Sequence, residues 1–269
     1  MDENTLKNLN MGMQLVQTKL AESNQKLLLL AVSGSHSWGL QRPDSDFDLR
    51  GVYQESTLNV LDINKPRDTV EFTDGLYDVQ LYEVEKFFKM LCGHNGNMVM
   101  LLHLPDFLYE DDFIFWRNLG HSFLTKKLRF YYRGYADSQR KRALSQKGGK
   151  ALIYTYREMF TGLYLMKHGT VCFDFNKLWR EAEHDGWYVD GLLYKYYPNH
   201  RQYFPAGTQN ITPDEWNKFY IEWEKLSELL DKEAEKSSLP DAYDGYDICN
   251  TLLRGLRIQN IREEINGKV

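Results

Sequence analysis

Two aspartates separated by one residue, Asp46-Phe47-Asp48, are the side chains best suited to chemistry in this sequence. Residues 46–53 (DFDLRGVY) alternate strictly, as a strand does. Asp46, Asp48 and Arg50 then share one face, and Phe47 and Leu49 the other. The two carboxylates stand about 6–7 Å apart at Cα, which lets both reach common metal ions. Mg²⁺ needs few protein carboxylates and fills its shell with water and phosphate oxygens. Two such ions can activate an attacking hydroxyl and stabilise a departing pyrophosphate. A lone Asp-x-Asp is more often a solvated strand edge, and without a cation its carboxylates repel. Here the pair follows an apolar run, residues 27–33 (LLLLAVS), that breaks at Gly34-Ser35. A strand ending in such a turn points backbone N–H groups outward, where they favour phosphate. Gly34 allows close backbone approach, and Ser35 and Ser37 suit the start of a short helix.

Several elements must hold this unit in place. Residues 4–25 carry Leu6, Leu9, Met13, Val16 and Leu20 at helical spacing. Residues 67–73 and 76–82 alternate around Asp74-Gly75, which reads as a hairpin. On its second arm Asp78 shares a face with Gln80 and Tyr82, while Tyr77, Val79 and Leu81 face the other way. From Glu83 the period becomes helical, with Gly93 as a stop signal. Asn95-Gly96-Asn97 is a turn, and Met98–Leu104 is apolar. Beyond about residue 110 nearly everything reads as helix, most clearly 150–168, 213–236 and 244–265, with Pro240 separating the last two. The fold class expected is α/β (α+β): a small mixed β-sheet with flanking helices, then an α-helical C-terminal domain. The division expected is 1–110 and 111–269.

The chain has 269 residues, 42% of them hydrophobic, enough for a real core. Its three cysteines, Cys92, Cys172 and Cys249, form no CxxC pair, which argues against zinc and against a disulfide scaffold. No apolar run is long enough to span a bilayer, so the expected setting is cytoplasmic, with no membrane partner. The net charge of −5 hides a segregation. Lys126, Lys127, Arg129, Arg133, Arg140, Lys141, Arg142, Lys147, Lys150 and Arg157 crowd a segment with one acid, Asp137. Residues 212–247 are correspondingly acidic. The basic block suggests a polyanion site; a solvated helical face is the plainer reading. Tyr131, Tyr132 and Tyr135 interleave with it, as rings do where single-stranded nucleic acid stacks. The histidines are scattered singly, without ligand spacing.

Gly34-Ser35 followed by Asp46-x-Asp48 resembles the signature of the DNA polymerase β nucleotidyltransferase superfamily. The longer string Ser45-Asp46-Phe47-Asp48-Leu49-Arg50-Gly51 is similar to the predicted nucleotidyltransferases of bacteria and phages. So are Asp78–Phe87 and the turn Gly93-His94-Asn95-Gly96-Asn97. The likeness is specific over residues 28–105. His36 stands where that family often has Arg. The resemblance implies a nucleotidyltransferase core in 1–110, with catalytic and metal-binding Asp46, Asp48 and Asp78, and Glu71 as the reserve for Asp78. It implies two Mg²⁺ ions, with Mn²⁺ as a substitute. The triphosphate, ATP or another NTP, would be held by Gly34, Ser35, Arg50 and Lys150, with Arg157, Arg140 and Lys147 behind them. Arg50 can equally pair with a carboxylate. The expected reaction moves an NMP from an NTP to an acceptor hydroxyl, an RNA 3′ end or tRNA ahead of a protein. A protein-modifying (AMPylating or UMPylating) or toxin–antitoxin nucleotidyltransferase, and a non-catalytic nucleotide- or RNA-binding module, are the competing readings.

Overall fold

Leu27–Val32 are buried on both faces, which makes Lys26–Val32 (β1) an interior strand. On one side it pairs antiparallel with β2 (Phe47–Gln54), on the other with β5 (Phe107–Glu110). β2 in turn pairs in parallel with β4 (Tyr77–Glu83), and β4 antiparallel with β3 (Thr69–Asp74). The five-stranded mixed sheet therefore runs β3-β4-β2-β1-β5. The structure, a computed structural model, describes residues 3–146, 149–187, 193 and 211–267.

One face of the sheet is closed by α1 (Glu3–Ala21). Its Leu9, Val16 and Leu20 join Leu30, Val32, Phe47, Leu49, Tyr53, Tyr77, Val79 and Leu81 in a single apolar cluster. Those from β2 and β4 are the odd members of the alternation in each strand. Asp48, Arg50, Asp78 and Gln80 are thereby left half-buried on the opposite face. Burial on the α1 side fixes the register, since a one-residue slip would turn the carboxylates into the core.

Short helices α2 (Gly34–Ser37) and α3 (Thr57–Leu61) follow β1 and β2. α4 (Val84–Cys92), α5 (Gly96–Leu101) and α6 (Phe113–Ser122) follow the hairpin. The C-terminal helix, α11 (Tyr246–Asn266), packs against α3 and α4. Arg257 donates to Glu83 Oε1 at 2.7 Å and to the Glu55 carbonyl at 3.1 Å. Asn260 Oδ1 accepts from both the backbone N–H and the hydroxyl of Thr57 at 2.7 Å. Contacts gather residues 1–37, 44–123 and 243–269 into this first unit.

The second unit comprises residues 38–43 and 124–242. Its axis is α8 (Gly149–His168), buried along most of its length and packed on α7 (Leu128–Gln146), α9 (Phe175–His184) and α10 (Pro213–Lys236). α10 begins with a full capping box, Thr212 and Glu215, and a proline in its first turn. Inside, Arg157 pairs with Glu158 and lies 4.0 Å from the centre of the Trp38 ring. Tyr156 donates to Glu222.

Three local expectations are corrected. β2 begins at Phe47, so Asp46 precedes the strand instead of opening it. The hairpin loop is Gly75-Leu76, with Asp74 paired to Tyr77, because Gly75 supplies the positive φ of +58° at the first loop position. Residues 107–110, expected in no strand, form β5 against β1.

Candidate active site

β1 delivers the chain to Gly34, which adopts a φ of +63° and opens α2. Ser37 Oγ closes the turn by donating to the Gly34 carbonyl at 2.9 Å. Ser35 is buried within it. The turn is pressed against β2: Ser33 N–H donates to the Asp48 carbonyl at 2.7 Å. A Cβ on residue 34 would lie 1.8 Å from Asp48 Oδ2. Glycine is required here by the Asp48 carboxylate itself.

Parallel pairing places Asp48 directly beside Asp78. Arg50 spans the two. Its Nη2 donates to Asp48 Oδ1 at 2.9 Å and to Asp78 Oδ2 at 2.8 Å. Its Nη1 donates to the Asp78 carbonyl at 2.7 Å and the Leu49 carbonyl at 3.0 Å. Arg50 thus pairs with both carboxylates, one of the two kinds of partner expected for it. The Asp78 side chain is 43% exposed and that of Asp48 24%, so Asp78 is the one more open to solvent. Burial pushes the Asp48 carboxyl above its ordinary value; Arg50 opposes this, and the charges of Asp46 and Asp78 add to it.

Asp46 is exposed, one residue ahead of β2, near enough for its charge to act on Asp48. Glu71, on the edge strand, is exposed and accepts from Gln80, whose Oε1 accepts from Tyr82 at 2.6 Å. His36 stacks on Phe47 with ring centres 4.3 Å apart, and its Nε2 is buried without a hydrogen bond. It packs on the apolar side of the strand. Among the described residues no group of three or more His, Cys, Asp or Glu is arranged to hold a metal ion.

Lys150 lies on α8 of the second unit, exposed, with Nζ 5.8 Å from the Tyr154 ring centre. Much of the basic block around it is already paired. Lys126 meets Asp241, Arg129 and Arg133 meet Asp231, and Arg140 and Lys141 meet Asp137. Arg140 also stacks over Trp223 at 4.6 Å. Lys147 lies outside the described residues. All three cysteines are free and buried. No helix among the described residues is long and apolar enough to cross a membrane. Sequence reasoning missed Arg257, whose clamp on Glu83 joins positions 174 residues apart; no local pattern signals such a pair.

The sequence model of the RNA repair pathway DNA polymerase beta family matches residues 10–192. The chain is also similar to the uncharacterized protein YcgL of Bacillus subtilis (strain 168), 26% identical over 164 residues. That match spans 58% of this chain and 63% of the Bacillus protein.

Proposed function

Because the chain belongs to the RNA repair pathway DNA polymerase beta family, we propose that it transfers a nucleoside monophosphate from an NTP to an acceptor hydroxyl. The observation that carries this reading is the pairing of Asp48 with Asp78 on neighbouring strands, with the Gly34 turn packed onto Asp48. In the reaction the acceptor oxygen bonds to the α-phosphorus, the bond to the β-phosphate oxygen breaks, and pyrophosphate leaves. Asp78, the more open carboxylate, takes the acceptor's proton.

The donor chemistry fits a divalent metal. Two hard carboxylate oxygens stand side by side, and burial and neighbouring acids make the Asp48 anion demand a positive charge. Asp48 and Asp78, with Asp46, would hold it. A bound Mg²⁺ or Mn²⁺ would supply charge against the triphosphate and a more acidic acceptor hydroxyl. Gly34 and Ser35 would cradle the phosphates through backbone N–H groups. The acceptor we favour is an RNA 3′ end; that the family is described as part of an RNA repair pathway supports RNA as the acceptor class.

The test is incubation with each α-labelled NTP and Mg²⁺ against synthetic RNAs of defined ends, tRNA and total protein. Label should appear on RNA and vanish in a variant carrying Asp46→Asn and Asp48→Asn. Label on protein alone would replace the RNA acceptor with a protein hydroxyl. Undiminished transfer by the folded double variant would overturn the site.

A further inference from the structure

A guanidinium has five N–H donors, two on each terminal nitrogen and one on Nε. In Arg50 the four terminal ones are all spent: two on the main-chain carbonyls of Leu49 and Asp78, two on the carboxylates of Asp48 and Asp78. The two pairs differ in kind. Nη1 is tied to backbone and anchors the guanidinium over the seam between β2 and β4. Nη2 touches nothing fixed; it sits between one oxygen of each carboxylate, at 2.9 and 2.8 Å. That is the place a bridging cation would take. A terminal nitrogen so committed has no N–H left for a phosphate oxygen.

We propose that Arg50 is the resident counter-ion of the site: it neutralises Asp48 and Asp78 in the metal-free protein and yields Nη2 to an arriving divalent cation. The inference rests on the reading that this pair binds a metal. Once displaced, Nη2 has two free donors beside the site, while Nη1 stays on its carbonyls. A nucleoside triphosphate supplies the acceptors that Nη2 then lacks. A cation alone must evict the guanidinium without compensation, whereas a cation arriving with a triphosphate gives it a new partner. Arg50 thereby couples metal affinity to nucleotide affinity, as a shared element with two arrangements does.

The experiment is Mn²⁺ titration calorimetry on the full chain, with and without a non-hydrolysable NTP analogue. It compares wild type, Arg50→Met, Arg50→Lys and Asp48→Asn with Asp78→Asn. Removing the competing charge at contact distance should tighten Mn²⁺ binding in Arg50→Met by roughly tenfold. The analogue should improve Mn²⁺ affinity less in that variant than in wild type, and the metal-free melting temperature should fall. Arg50→Lys, too short to span both carboxylates, should lie between the two; it carries the test if the Met variant does not fold. Mn²⁺ affinity unchanged or weakened in the folded variant overturns the inference. The outcomes separate: Mn²⁺ binding that survives the double Asn change defeats the metal site itself. Binding lost there but not gained in Arg50→Met defeats only the role of Arg50. If neither wild type nor Arg50→Met binds Mn²⁺, both fall.

Discussion

Asp48 carries its charge where burial and two neighbouring carboxylates disfavour it, and Arg50 only partly offsets this. Its folded pKa lies above the unfolded one, so between the two values the native state holds more protons. Stability therefore falls as pH rises through that window, and the loss persists at neutral pH. Asp48→Asn, a permanent mimic of the protonated form, should raise the metal-free melting temperature at pH 7 by a few degrees. The gain should shrink as pH falls toward the ordinary carboxylate range. A scanning-calorimetry series with no gain at pH 7 would contradict that balance. Gly34 gives the second residue-scale prediction. Gly34→Ala places a methyl 1.8 Å from Asp48 Oδ2 and forces an L-residue to a φ of +63°. It should cost about 1–3 kcal/mol of stability and weaken NTP–Mg²⁺ binding, read by denaturant unfolding and calorimetry. Wild-type values in both would remove the turn from the site. The glycine and the Asp-x-Asp pair were legible in sequence because type and spacing mark them. The reason for the glycine was not, since it depends on a strand pairing that no local pattern reveals.

At the scale of elements, the strands announced themselves wherever one face is buried and the other polar. β4 is the clearest case, with Tyr77, Val79 and Leu81 inward and Asp78 and Gln80 outward. β5 gave no such signal: it has four residues, all half-buried, and exists because β1 offers it an edge. The C-terminal helix was legible as a helix, but its partners were not. Its hold on the sheet depends on Arg257, whose side chain is 14% exposed, and Glu83, 6% exposed. Removing one partner of a buried pair strands the other charge, at about 3–5 kcal/mol. Arg257→Met should lower stability by that order in urea unfolding and speed hydrogen exchange across residues 246–266. Adding Glu83→Gln should restore part of the loss, because no charge is then left stranded. If the double variant is less stable than Arg257→Met, the pair is not what holds this helix.

Over the whole molecule, the segregation of charge along the sequence is largely cancelled by folding. Basic Lys126, Arg129 and Arg133 meet Asp231 and Asp241 of the acidic stretch, so these cations serve the helical unit. Exposed Lys127 and Lys150 are better placed to meet a polyanion. Neutralising both should flatten the salt dependence of RNA binding by about 1.5 in log K against log[salt], if each contacts a phosphate. Neutralising Arg129 and Arg133 should instead lower the melting temperature and leave that slope nearly alone. Equal slopes in all three proteins would remove the block from RNA binding. One further property follows from how contacts sort the chain. It passes between the two units four times, after residues 37, 43, 123 and 242. The segment joining the Gly34 turn to Asp46 is one of these excursions, and the helix clamped by Arg257 belongs with the first unit although it comes last. The sheet-bearing half is therefore not a cassette that two cuts could excise. A fragment ending near residue 123 would leave Glu83 charged and uncovered and residues 38–43 without their packing.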